Sequence, residues 1–174
     1  MIMFLVKGKL FIVSPPSVSE FCIVLIVLYE PEIPQNTGNI IRLCANSGVS
    51  LGLVEPLGFD LSDKQLRRAG LDYHEYVSVD RYCNWSSFLD QKLGGRLFGF
   101  SSKAEVSYDQ CLYMDSDIFL FGPETRGLPQ SVLAQCDATF RIPMSPNSRS
   151  LNLANSVSIV LYEALRQQGF PGCV

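Results

Sequence analysis

From residue 23 to the end of the chain, short apolar runs rich in β-branched residues alternate with stretches of helical period. That arrangement predicts a parallel sheet covered by helices. Ile23 to Tyr29 is apolar without interruption, as suits a strand buried on both faces. Asn36, Thr37 and Gly38 then offer capping residues for a helix that runs to Ser47 and is closed by Gly48. Ser50 to Val54 reads as the second strand, and Ser62-Asp63-Lys64-Gln65 as a capping box. The box opens a short helix that carries Lys64, Arg67 and Arg68 and stops at Gly70. Further strands are predicted at Glu75 to Val79, Arg96 to Ser101, Ile118 to Phe121 and Ala138 to Ile142, with helices around Trp85 to Lys92 and Gln130 to Gln135. The last element, about Leu151 to Gln168, places Leu151, Ala154, Val157, Ser158, Leu161 and Leu165 on one apolar stripe. The fold class is therefore α/β, a mostly parallel sheet flanked by helices.

Residues 1–22 stand apart from this pattern. Met1 to Val13 is apolar but broken by Lys7 and Lys9, and Ser14-Pro15-Pro16-Ser17 separates it from the apolar run that begins at Phe21. A secretory leader places its charge first, then an unbroken apolar core and a small-residue cleavage site, and neither piece has that order. The segment is read as an N-terminal extension of unknown role, ahead of one domain at 23–174. No stretch reaches the roughly 18 apolar residues of a membrane-spanning helix.

Composition narrows the function. With 174 residues, 47% hydrophobic and 18% charged, the chain can bury one sizeable core. Its net charge of -3 excludes a protein that coats nucleic acid non-specifically, because that affinity comes from many Lys and Arg contacts to phosphate. Any RNA contact must be local. The six cysteines, Cys22, Cys44, Cys83, Cys111, Cys136 and Cys173, show no CxxC pair and no matching histidine cluster. This speaks against zinc and redox motifs and for reduced thiols in a cytoplasmic protein without disulfides.

The common nucleotide and hydrolase signatures, GxGxxG, GxxxxGK[ST] and GxSxG, are absent. His74, the single histidine, has no metal-ligand spacing around it and reads as a structural or surface residue. Three polar loops remain, each following a predicted strand, where ligands of open α/β sheets bind. The first runs from Tyr29 to Asn39 and on to Arg42. It is either a Pro-rich turn with a helix cap and a surface arginine, or a site where Asn36, Asn39 and Arg42 converge on a helix N-terminus that favours phosphate. The second, Phe121 to Pro129, has two glycines and two prolines around Glu124 and Arg126, a charged pair that turn chemistry alone does not require. The third, Ile142 to Asn155, opens the last helix; a cap explains Ser150 but not Asn152 and Asn155, since Asn is a poor helix former.

Taken together, LYEPEIPQNTGNIIRLCANSG, LRRAGLDYHEY, FGPETRGLP and IPMSPNSRSLNLANSVSIVLYEALRQQGFPG resemble the SPOUT methyltransferases, specifically the short branch that methylates the wobble ribose of tRNA. The resemblance covers about Ile23 to Gly172. It implies a C-terminal trefoil knot, which periodicity does not indicate and which general folding rules disfavour. It also implies S-adenosylmethionine as methyl donor, S-adenosylhomocysteine as product and no metal. The donor would be held mainly by backbone groups around Phe100, Gly122, Ile142, Pro143, Met144, Ser150 and Leu151. Arg42 matches the arginine to which the family assigns the base role. A guanidinium with a pKa above about 12 is a reluctant base, so orienting the ribose hydroxyl and adjacent phosphate is the preferred reading beside it. Glu124 and Asn152 match the second and third family motifs, and Tyr162 matches a tyrosine tied to activity, although helix packing explains it equally on spacing. The implied partners are a tRNA anticodon stem-loop and a second copy of the chain, docked on an exposed apolar stripe of the last helix. Asn36, Asn39, Arg67, Arg68, Arg126 and Arg149 would form the local RNA surface. The competing readings are a SPOUT enzyme acting on another RNA, such as ribosomal RNA, and a non-catalytic RNA-binding module of the same fold.

Overall fold

The computed structural model describes residues 2–6, 9–13, 24–60, 79–92 and 94–172. Two strands, β1 (Ile2–Val6) and β2 (Lys9–Val13), pair antiparallel with each other and with nothing else described. Among the described residues the remaining strands and α-helices are β3 (Leu25–Tyr29), α1 (Pro34–Ser47), β4 (Ser50–Val54), β5 (Val79–Tyr82), α2 (Trp85–Gln91), β6 (Leu97–Phe100), β7 (Val106–Ser107), β8 (Ile118–Phe121), α3 (Gln130–Leu133), β9 (Ala138–Arg141) and α4 (Leu153–Gln167), with a short 3-10 turn at Tyr108–Gln110. Strands β3 to β9 form one seven-stranded sheet in the order β5-β4-β3-β8-β6-β9-β7. Every pairing in it is parallel, as the alternation of strands and helices predicts.

A parallel sheet is stable only when both faces are covered. Ile26, Val27 and Leu28 on the central strand are each 0% exposed, so both faces are dry. On one face α1 and α4 pack over Ile26, Leu28, Leu51, Leu53, Phe98 and Phe119. On the other, α2 and α3 cover Val27, Val54, Leu97, Ile118 and Leu120 with Phe88 and Val132. The apolar stripe predicted along the last helix is thus spent inside the chain: Val157, Val160, Leu161, Ala164 and Leu165 are fully buried. The expected exposed stripe for a second copy is corrected accordingly. Leu151 lies before the helix and stays partly exposed, while Tyr162 on the outer face is half exposed.

Boundaries shift where the local signal is weak. A strand is found at Val79–Tyr82; of the one predicted at Glu75 to Val79, only Val79 is among the described residues. The capping-box helix at 62–70, with Lys64, Arg67 and Arg68, and His74 also lie outside them. The two-residue β7 is too short to leave a periodicity. Helix α1 begins at Pro34 with Ile33 as N-cap and no side-chain cap of its own, so Asn36 and Thr37 sit inside the first turn instead of capping it. Gly48 ends that helix as predicted, in the left-handed conformation at φ 68°.

Thiols in the described residues, Cys44, Cys83, Cys111 and Cys136, are all free. Burial pushes the Cys44 thiol up to about 12, which keeps it protonated and inert. No described helix is long and apolar enough to cross a membrane.

Candidate active site

All seven strands run the same way, so their carboxyl ends share one edge. The loops after β3 and β8 lie on neighbouring strands from which the chain departs in opposite directions. In open α/β sheets this is where ligands bind. A cleft of about 1350 Å³ opens there, lined by residues of the loops after β6, β8 and β9, with Ile33 and Asn36 from the start of α1.

One carboxylate organises the cleft floor. Glu124 accepts the backbone N–H of Glu32 at 2.8 Å and of Ile33 at 3.2 Å, and the side-chain amide of Asn36 at 2.9 Å. The uncapped N-terminus of α1 is therefore capped by a residue from the loop after β8, and the carboxylate complements the positive end of the helix dipole. Because a carboxylate only accepts, Asn36 must turn its NH₂ toward Glu124, which leaves its oxygen for the Asn152 amide at 2.8 Å. Asn152 in turn has its own oxygen free to accept the Asn155 N–H at 3.3 Å. Donors along this chain all point toward Glu124, an alignment in which each bond polarises the next. The N-termini of both α1 and α4 thus end on a single negative charge.

A second clasp joins the same loops. The Thr125 hydroxyl and backbone N–H both donate to the Glu32 carboxylate at 3.0 Å, and these bonds hold it below its ordinary range. Arg126 forms an ion pair with Glu30. Cys136 also lines the cleft, but burial, and next the charge of Asp137, push its thiol up to about 11, so it is no nucleophile at neutral pH. Among the described residues no group of His, Cys, Asp and Glu could hold a metal ion.

Most of the residues singled out from the sequence meet here. Phe100, Gly122, Ile142, Met144, Ser150 and Leu151 line the cleft, together with Glu124, Asn36, Asn152, Arg126 and Arg149. Pro143 is exposed beside the cleft and is not among its lining residues. Asn39 and Arg42, one helical turn apart on the solvent face of α1, do not line it either, and Tyr162 sits on the outer face of α4 against Phe170, ring centroids 6.5 Å apart.

Two expectations change in detail, and one glycine acquires a second constraint. The phosphate-favouring N-terminus of α1 is taken by Glu124. Asn152 is not a misplaced helix-interior asparagine; it is the N-cap of α4. Gly122 is required by its own loop, since a Cβ there would lie 2.4 Å from the Leu128 nitrogen and 2.5 Å from the Gly127 carbonyl carbon. Glu30, Glu32 and Thr125 escape a reading of the sequence alone. The signal available for them is charge complementarity between two loops far apart in the chain, Glu30 and Glu32 in one and Thr125 and Arg126 in the other.

Comparison with known proteins bears on this arrangement. Residues 23–162 match the SpoU rRNA Methylase family. The chain belongs to the SpoU methylase family. This SpoU chain is 56% identical over 151 residues to the Escherichia coli (strain K12) protein named tRNA (cytidine(34)-2'-O)-methyltransferase, covering 86% of this chain and 96% of that one. It is 53% identical to the protein of the same name from Methylovorus glucosotrophus, over 86% of this chain and 98% of that one. A solved structure described as "Structural insights into the 2-OH methylation of C/U34 on tRNA" has a TM-score of 0.81 at 46% identity, covering 84% of this chain and 97% of that one. The AdoMet-bound rRNA methyltransferase from Sinorhizobium meliloti has a TM-score of 0.74 at 25% identity, over 88% of this SpoU chain but 58% of its own.

Proposed function

We propose that the chain transfers a methyl group from S-adenosylmethionine to the ribose 2′-OH of the wobble nucleotide, position 34, of tRNA, cytidine or modified uridine. The observation that carries the reading is the convergence of three polar loops on Glu124 at the carboxyl edge of the sheet, under a cleft of about 1350 Å³. The near full-length match to enzymes named for position 34, against 58% of the ribosomal RNA enzyme, favours tRNA over the competing substrate.

The cleft suits the donor. Phe100, Ile142, Met144 and Leu151 offer apolar walls, and the turns around Gly122 and Ser150 offer backbone groups to a polar ligand. S-adenosylmethionine supplies an electrophilic methyl on a sulfonium, and the protein's task is to hold the ribose oxygen in line with it. Glu124, Asn36 and Asn152 fix the loops that shape this geometry. Arg42 orients the hydroxyl and the neighbouring phosphate through its planar fork of donors, while the hydroxyl proton leaves to solvent or an acceptor.

The proposal extends to a homodimer. In one chain Arg42 on α1 and Tyr162 on α4 lie outside the cleft, while α1 and α4 pack against each other; a second copy on these helices would bring both residues to a shared site. It also includes the C-terminal trefoil knot of the family, an anticodon stem-loop as the recognised tRNA element, a cytoplasmic location, and residues 1–22 as an extension outside the methyltransferase domain.

Transfer of tritiated methyl to bulk tRNA, with the product nucleotide mapped, tests the reading. The expected product is a 2′-O-methyl group at position 34, and binding should weaken only modestly with salt because few phosphates are contacted. A methyl group on a base nitrogen or carbon, or transfer to ribosomal RNA alone, would overturn it.

A further inference from the structure

Glu30 is a carboxylate at the edge of a cleft proposed to take a polyanion. It sits at φ 47°, a left-handed conformation that costs a non-glycine residue energy and persists only where surroundings hold it. Its backbone N–H is tied to the Val54 carbonyl at 2.9 Å. Burial, and next a hydrogen bond to Glu30, raise the neighbouring Tyr29 hydroxyl above its ordinary value. The carboxylate also meets Arg126, whose side chain is 57% exposed against 20% for Glu30. The other two carboxylates of these loops are already satisfied, Glu32 by Thr125 and Glu124 by three N–H donors. Glu30 is the one whose partner is an exposed cation lining the cleft.

We propose that Glu30 is a built-in counter-ion for Arg126, one that an RNA phosphate must displace, so that Glu30 sets tRNA affinity downward and guards the arginine against weak anionic ligands. The inference rests on the RNA-methylating reading above. An exposed ion pair is weak enough to be exchanged, and a phosphate offers the same fork of oxygens to the guanidinium. The Glu30 carboxylate then keeps its Tyr29 bond while Arg126 moves to the substrate.

The sign of the effect separates this from a purely structural role. Binding of unmodified tRNA is measured by fluorescence anisotropy for wild type, Glu30→Gln, Arg126→Ala and the double variant, with kcat and KM measured alongside. Gln keeps the size and the Tyr29 contact but not the charge. Glu30→Gln is expected to tighten tRNA binding about two- to fivefold and to lower KM more than it moves kcat, the scale set by one exposed ion pair. Its plot of log affinity against log salt should steepen by up to about 0.7–0.9, one more phosphate neutralised without an internal competitor. In the Arg126→Ala background the Glu30→Gln change should have no effect on affinity. Weaker binding by Glu30→Gln, or the same tightening without Arg126, would overturn the counter-ion role. Wild-type protein that binds tRNA but leaves its riboses unmethylated would overturn the functional reading instead, and the anisotropy series would still decide the role of Glu30.

Discussion

Arg42 carries the sharpest consequence at the level of single residues. It projects from the solvent face of α1, off the cleft of its own chain. Arg42→Ala should shift stability by no more than about 0.5 kcal/mol, as exposed substitutions do, and leave donor binding near wild type. Methyl transfer should fall by about a hundredfold or more, the scale of losing one preorganised charged donor. Arg42→Lys should rescue little, because a point charge lacks the planar fork. Single-turnover kinetics beside calorimetry and thermal melts checks all three, and full turnover by Arg42→Ala would place the chemistry elsewhere. Glu163, on α4, gives a pH-dependent case. Bonds from Arg166 and Gln167 lower its carboxyl from 4.5 to about 2. A depressed folded-state pKa stabilises above the unfolded value and is lost as pH falls through the folded one. Melting temperatures of Glu163→Gln should therefore lie below wild type at neutral pH, with the gap closing progressively below pH 4.5 and gone only once the pH is well below about 2.

At the level of elements, two glycines that look alike in the sequence have different work. Gly48 closes α1 at φ 68° with nothing within 4 Å of where an alanine Cβ would stand, so Gly48→Ala meets only backbone strain, about 1–2 kcal/mol. Gly122 is jammed against the backbone of Gly127 and Leu128 in its own loop. Gly122→Ala forces that loop to move, at the roughly 1–3 kcal/mol typical of overpacking, and carries Glu124 with it. Calorimetric titration with S-adenosylhomocysteine should show Gly48→Ala binding normally and Gly122→Ala weakened together with a lowered melting point. Normal donor affinity in Gly122→Ala would separate this loop from the pocket. The contrast exists because a turn's conformation is local, whereas the loop after β8 folds back on itself and reaches across to α1.

For the whole molecule, an acidic chain that handles RNA must concentrate its positive charge. Arg126 and Arg149 line the cleft, and Arg42 stands on the adjacent helix face. The proposed dimer is the device that would bring Arg42 and Tyr162 to one site. Sedimentation velocity should find two copies of the chain in the wild type. Tyr162→Asp, on the exposed face where it cannot disturb the buried stripe of α4, should shift the population to monomer and lower methyl transfer while the monomer's helical signal is kept. A wild-type monomer with full activity would remove the second copy from the mechanism.

Much of the fold is legible along the chain because its causes are local. A run such as Ser50 to Val54 or Ile118 to Phe121 is almost wholly apolar, with little that water could claim, and both are strands with the boundaries expected. Alternation with helical stretches makes the sheet parallel, and Gly48 stops α1 because only glycine rests easily at positive φ. The three polar loops are visible as departures from turn and helix chemistry, and most of the residues singled out in them, though not Asn39, Arg42 or Pro143, meet in one cleft. What tertiary structure alone decides is who satisfies whom. Helix α1 carries no cap of its own, and its missing acceptor, Glu124, arrives from 91 residues away. Asn152 is a cap with a second duty to Asn36, at a sequence separation of 116. The last helix's stripe is apolar as its spacing predicts, but its partner, core or second chain, is not encoded in its period. Periodicity reports which side of an element avoids water. The choice of partner depends on loops that cross the sheet edge, and no local pattern records it.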